Sequence, residues 1–283
     1  MLRRDRSCRA RTAVLLVPVL MAMLPCIGYG VDVMDGRRSV ADVLGRTVYE
    51  EELVPASSSE EQKAKLSPEA YAEWYERVRG EKLRGIVWSA VFGDFALKRA
   101  IEPTPAEIQS NIRQTQAFKK EDRMRRDRDR EALITELSSP AITDMRRKQA
   151  QQHLDTLNSL RESDARFEQE RRDPEREKTW QDAERRVSEV WVKQWKVNQA
   201  LYREFGGRII FQQAGWEPID AYRALLERYE ARKAFVVHDL ELREAVYSYF
   251  KHNFVYADEK KATFYFEKPY WERTSGELKA AGF

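Results

Sequence analysis

The chain has 283 residues, 42% of them hydrophobic and 34% charged, and a formal net charge of +3. That length can bury the core of one large domain or two small ones, and the charge density favours long solvated helices over a compact α/β enzyme. The first thirty residues hold five arginines and one aspartate, leaving 45 basic against 46 acidic residues, so no concentrated positive face for phosphates is expected.

Arg3, Arg4, Arg6, Arg9 and Arg11 form a positive segment ahead of the apolar run Thr12 to Ile27. Gly28-Tyr29-Gly30 then supplies the small residues of a cleavage site before Val31. The run is short for a membrane span and contains Pro18 and Pro25, so a cleavable signal peptide over 1–30 is expected. An uncleaved N-terminal anchor in the inner membrane is the alternative. Lipidation of Cys26 is disfavoured by the preceding Pro25. Cys8 and Cys26 both lie in this leader, so the mature chain has no thiol and the periplasm is the expected address.

Val40, Val43 and Val48 flank Gly45, which points to two short strands around a tight turn, with Glu50–Glu52 opening a helix. Pro55, three serines and Pro68 mark 55–69 as a linker or loose helical start. Tyr71, Trp74, Tyr75 and Val78 recur at helical spacing and predict a helix over 68–79. A denser apolar face follows, on Leu83, Ile86, Val87, Ala90, Val91 and Leu97, with Trp88, Phe92 and Phe95 widening it. Pro103 stops it. Thr104, Pro105 and Glu107 then spell a capping box for a further helix, with Ile108 and Ile112 on its apolar side.

The pattern on Val43, Gly45, Val48, Glu52 and Leu53, followed by the helix Leu83–Leu97 and the restart Thr104, Glu107 and Ile108, resembles the N-terminal domain of SurA-type periplasmic chaperones. The likeness spans about residues 38–115, and Leu44 stands where that family commonly has Asn. It implies a chaperone-like helical framework completed by a returning C-terminal helix, for which 239–253 is the candidate. A parvulin-type isomerase domain often follows in that family. This chain has only His153, His238 and His252 and no Gly-rich block, so the resemblance does not extend to isomerase activity.

Residues 117–186 carry 18 basic and 17 acidic residues, a pattern that supports solvated helices through many weak pairs. Ser138-Ser139-Pro140 and Asp173-Pro174 are expected breaks, and Leu154, Leu157, Leu160 and Phe167 leave a thin apolar seam. From Trp180 the chain turns aromatic. Val187, Trp191, Gln194, Trp195, Asn198, Tyr202 and Phe205 form one helical face, stopped by Gly206-Gly207. A short β-type run over 208–213, a helix after Pro218 and a helix capped by Asp239 are expected next. Ala262–Phe266 reads as a strand, and the tail after Pro269 as peripheral.

Catalytic serine motifs, a His-Glu-x-x-His helix and a phosphate-binding Gly loop do not occur. His238, Asp239 and Glu241 are metal-type side chains, but neighbours at a helix start do not converge on one ion, and capping explains Asp239 better. No catalytic residue, metal or cofactor is expected. The suggestive residues are Trp88, Phe92, Phe95, Trp191, Trp195 and Tyr202, which either fill a core or line a groove for extended polypeptide; periodicity does not separate the two.

The expected fold is therefore mainly α: a SurA-N-like helical framework with long charged helices and a few short β-strands. Its expected parts are a signal peptide (1–30), a helical domain (31–116), a charged helical arm (117–180) and an aromatic-rich segment (181–283) packing on 31–116. The expected function is non-covalent binding of unfolded or extended polypeptide clients in the cell envelope. A structural or assembly subunit with one envelope protein partner is the alternative, and a prolyl isomerase a remote third.

Overall fold

The computed structural model describes residues 37–54, 56–212 and 215–282; the expected leader, its cleavage site and both cysteines lie outside them. The described chain is mainly helical, with short strands. Its first elements are β1 (Ser39–Val43), β2 (Arg46–Tyr49), α1 (Glu50–Leu53), α2 (Ala56–Lys63), α3 (Pro68–Lys98), α4 (Pro105–Leu137), α5 (Asp144–Glu170) and α6 (Pro174–Phe205). There follow β3 (Ile210–Gln212), β4 (Gly215–Glu217), α7 (Ile219–Ala231), β5 (Phe235–Val237), α8 (Leu240–Tyr247), α9 (Glu259–Glu267) and α10 (Ser275–Ala280). Single 3₁₀ turns occupy Ser248–Lys251 and Tyr270–Glu272.

The chain divides into two compact units. The first holds residues 37–93, Phe211–Glu217 and Leu226–Phe254; the second holds Asp94–Ile210, Pro218–Leu225 and the residues from Val255 on. The charged stretch 117–180 lies within the second unit, and 181–283 contributes to both.

In the first unit, Leu44 (φ 51°) and Gly45 (φ 82°) both take positive φ, as a two-residue type I′ turn requires, and join β1 to β2 in an antiparallel hairpin. The register shifts between Ser39 and Ala41, so Val40 and Ala41 are both buried, together with Val43 and Val48. The other edge of β1 pairs antiparallel with β5, Ala41 facing Val237, to give the order β2-β1-β5. The sequence pattern does not anticipate β5. Glu52 accepts from the Tyr49 N–H (3.1 Å) to start α1, and Ser67 Oγ accepts from the Ala70 N–H (3.3 Å) at the start of α3.

The segments 68–79 and Leu83–Leu97, expected separately, are one uninterrupted helix, α3, and of the two readings of 55–69, linker or loose helical start, the helical one holds over 56–63. Gly80 does not break α3. It lies where a Cβ would come 2.8 Å from Ala245 Cβ, so its bare backbone lets α8 approach. Next to it the buried Arg79 donates to Glu76 (2.9 Å) and Glu50 (3.1 Å) and stands 3.5 Å from Asp239, tying α1, α3 and the cap of α8 together. Asp239 accepts from the Glu241 and Leu242 N–H groups, the capping role expected of it. The returning segment does meet α3, since Trp88 Nε1–H donates to the Val246 carbonyl (3.2 Å).

In the second unit, α3 ends before Pro103, in a Schellman-type turn. Ala100 (φ 50°) takes the left-handed position, its N–H bonds the Leu97 carbonyl, and the Ile101 N–H bonds the Ala96 carbonyl. Leu97, expected on the apolar face, is 75% exposed. Thr104 and Glu107 form the expected capping box of α4. Helices α4 and α5 make a hairpin along the seam Leu133, Ala150 and Leu157, with Leu137 and Leu154 beside it. Arg126–Asp164 (2.9 Å), Arg123–Glu168 (2.8 Å) and Arg146–Glu136 (2.5 Å) bridge the two helices.

Two more expectations fail. Ala262–Phe266 is helical, within α9, because Asp258 caps the helix and Ala262 and Phe266, four residues apart, are both buried. The tail is not peripheral either: Trp271 and Arg273 are buried, and the Arg273 guanidinium donates to the Phe264 carbonyl (2.6 Å) and lies 3.7 Å from the Phe264 ring.

Two substitutions test these constraints by denaturant unfolding. Leu44→Asn supplies the Asn-Gly pair that a type I′ turn favours and should add about 0.5–1 kcal/mol. Gly80→Ala places a methyl against Ala245 and should cost about 1–3 kcal/mol.

Candidate functional site

The sequence singles out six aromatic residues, which the structure sorts by what surrounds them. In the first unit, Trp88 stacks on Phe92 (centroids 5.7 Å apart) and Phe250 (5.3 Å) and meets Tyr249 edge-on (5.5 Å). Phe92 is buried. These rings are packed against one another, with the Trp88 N–H satisfied by backbone.

In the second unit, Phe95 is fully buried under the Arg99 guanidinium, 3.7 Å from the ring centroid, and Arg99 pairs with Glu204. The remaining three lie on α6. Asp173 caps this helix through the Glu175 and Arg176 N–H groups, Pro174 opens it, and Gly206 (φ 63°) ends it. Trp195 meets Trp271 edge-on at 5.1 Å, with Val192 buried beside them and Tyr265 and Tyr270 packed on the outside. Tyr202 stacks on Phe266 at 4.9 Å. Burial pushes the Tyr270 phenol up, against the Asn111 amide that donates to its oxygen (2.8 Å). Neither the Trp195 nor the Trp271 indole nitrogen has a hydrogen-bond partner among the described residues.

Trp191 differs from the other five. It is 37% exposed, and Val187 (53%) and Val190 (49%) are exposed beside it on the same side of α6. One turn onward the same line of residues is covered: the Tyr222 hydroxyl of α7 donates to Asn198 Oδ1 (2.7 Å) and accepts from Gln194 Nε2 (3.3 Å). Before it, Trp180 packs edge-on against Phe167 (4.8 Å), and Glu184 accepts from Gln116 (3.0 Å). The exposed Val187–Val190–Trp191 patch thus lies on a helix face that α7 covers at one end and that runs at the other to Trp180, itself 41% exposed although it meets Phe167. Val190 was not singled out in the sequence, because it sits at the edge of the apolar stripe rather than on its centre line.

Two lysines of this helix are paired with carboxylates of the segment before α4 and of its start. Lys193 bonds Glu102 (2.8 Å), and Lys196 bonds Glu107 (3.0 Å). Burial raises the Glu107 carboxyl, but the Thr104 cap and Lys196 outweigh it and hold the group below the ordinary glutamate value. Among the described residues no group of three or more His, Cys, Asp or Glu side chains is arranged to hold a metal ion, and no helix is long and apolar enough to cross a membrane.

No family model matches the chain, and neither the curated proteins nor the solved structures contain a significant match to it.

The packing of Trp195 generates a test that separates a structural from a binding role. Trp195→Ala should cost about 3–5 kcal/mol in unfolding free energy, as large-to-small core changes do. Trp195→Phe keeps a ring and removes a buried donor that has no acceptor, so it should cost distinctly less.

Proposed function

We propose that this is an exported, chaperone-like protein that binds unfolded or extended polypeptide segments non-covalently in the cell envelope, through the Val187–Val190–Trp191 face of α6. The observation that carries this reading is the exposed apolar patch Val187–Val190–Trp191 on a helix whose face α7 covers from Gln194 onward. Valine and tryptophan side chains at this spacing offer contact area without a shaped pocket, which suits clients of varied sequence. The SurA-type resemblance of residues 38–115 points the same way and belongs to the same proposal. Binding of this kind requires neither nucleotide nor cofactor.

A second reading has its own observation. The exposed patch continues a line of residues that α7 covers farther along, so a helix of one dedicated envelope protein could extend that packing.

The deciding experiment is titration of the protein against a reduced, alkylated, fluorescently labelled polypeptide that cannot fold, followed by anisotropy. Saturable binding is expected, and combining Trp191→Ala with Val187→Ser should weaken it about tenfold while leaving the melting temperature unchanged. Unaltered affinity in that variant would remove α6 from the proposal. Absence of binding to any unfolded polypeptide, with one stoichiometric partner recovered from envelope extract, would replace it by the second reading. Accelerated cis/trans exchange at an X-Pro bond in a test peptide would replace both by an isomerase.

A further inference from the structure

Glu217, at the end of β4 in the first unit, differs from the other carboxylates of this fold whose carboxyls are drawn into packed surroundings. Asp220 is matched by Arg208 (2.8 Å), Glu230 by Arg243 (2.6 Å) and Glu50 by Arg79 (3.1 Å). Among the described residues Glu217 has no cation paired with it. Its one polar contact among them is the Tyr249 hydroxyl, which donates to Oε2 at 2.9 Å. Tyr249 sits on the 3₁₀ turn Ser248–Lys251, and its ring is enclosed by Trp88 (5.5 Å), Phe254 (5.2 Å), Phe250 (6.1 Å) and His252 (6.1 Å).

The charged groups that face this cluster are otherwise occupied. Arg84 of α3 donates to Ser248 Oγ (3.1 Å), and Lys251 of the 3₁₀ turn bonds Glu244 (2.9 Å). His252 packs edge-on against Tyr249 and Phe254. A half-buried carboxylate in this place gives up part of its water and gains a single phenol donor in return.

We propose that Glu217 is a pH-sensitive latch: with its carboxyl protonated it holds β4 against the 3₁₀ turn at Tyr249, and ionisation releases β4 toward water. Burial raises the Glu217 carboxyl above the ordinary glutamate value, and the Tyr249 hydrogen bond offsets only part of that rise. The sign follows from that direction. The group favours the latched state fully below the ordinary glutamate pKa, and its contribution is lost as pH rises through the raised folded value. The latch therefore tightens on acidification and loosens toward neutral pH, the reverse of an acid-labile ion pair. Tyr249 is displaced in the same sense: burial first, then the neighbouring Glu217, pushes its phenol well above the ordinary tyrosine value, so it stays a donor throughout.

Release frees Tyr249 from its hydrogen bond to Glu217 and leaves the rings of Trp88, Tyr249 and Phe254 less covered. This does not depend on the client-binding reading of α6, which concerns residues of the other unit.

Hydrogen exchange of the Trp216 and Glu217 amides in the full chain, corrected for intrinsic rates, tests the proposal between about pH 4 and about pH 8, where an ordinary glutamate and a raised one differ most. Protection in the wild type should fall about tenfold across that range for each unit by which the carboxyl is raised. Glu217→Gln retains an acceptor for Tyr249 without a charge, so its protection should be high and independent of pH. Tyr249→Phe removes the hydrogen bond that favours the carboxylate and should move the Glu217 titration, read by carbon-13 NMR of the carboxyl, to still higher pH. A Glu217 carboxyl titrating at or below the ordinary glutamate value would overturn the latch, as would identical exchange profiles in wild type and Glu217→Gln.

Discussion

Strand β1 needs two neighbours, and only one of them is local. β2 reaches it through a two-residue turn, but β5 comes from the far side of the sequence, and the Arg38–Asp239 pair that flanks this junction joins residues 201 apart. The close approach at Gly80, the Arg79 ties to Glu50 and Asp239, and the Trp88 bond to Val246 all secure the same return. Each replaces water at a buried polar or apolar surface, so losing one leaves the others partly unsupported. The first unit depends on this non-local closure more than on any single helix.

Its local features were legible in the sequence because they are decided by side chains next to the backbone they serve. Thr104 with Glu107, Asp173 before Pro174, Asp239 before α8 and Gly206 after α6 each act where their residue types indicate. What escaped depends on distant partners. Phe235–Val237 becomes a strand only because β1 offers an open edge. The run Ala262–Phe266 is rich in β-favouring residues, yet packing of Ala262 and Phe266, with the carbonyl contacts of Arg273, selects a helix. Helical spacing gave 68–79 and Leu83–Leu97 as separate segments, whereas they are one helix, and the Gly80 between them marks a place where another helix comes close.

The candidate site divides along the same line. Helical spacing identified Trp88, Phe92, Phe95, Trp191, Trp195 and Tyr202 as one class, because a residue that faces a neighbouring helix and one that faces solvent can share a stripe. Their surroundings separate them: Trp195 has Trp271 across from it, Tyr202 has Phe266, and Trp191 has open surface with Val187 and Val190. Nothing in the spacing of α6 itself encodes where α7 stops covering it. Glu217 carried no signal at all, since its pairing with Tyr249 and with no cation among the described residues is a property of the residues that fold around it.

The long separation between β1 and β5 also sets an order of events as the chain is made. The β1–β2 hairpin and the α4–α5 hairpin close through neighbouring residues and can form as soon as they emerge. β1 must then wait, one edge bare, until about two hundred further residues have been synthesised, because loop closure over that span precedes any reward from pairing. An unpaired strand edge is a template for another chain. The register shift beside Val40 interrupts the regular spacing of that strand, and a nascent chain caught in this interval would be a poorer match to a neighbouring copy than a straight strand would be.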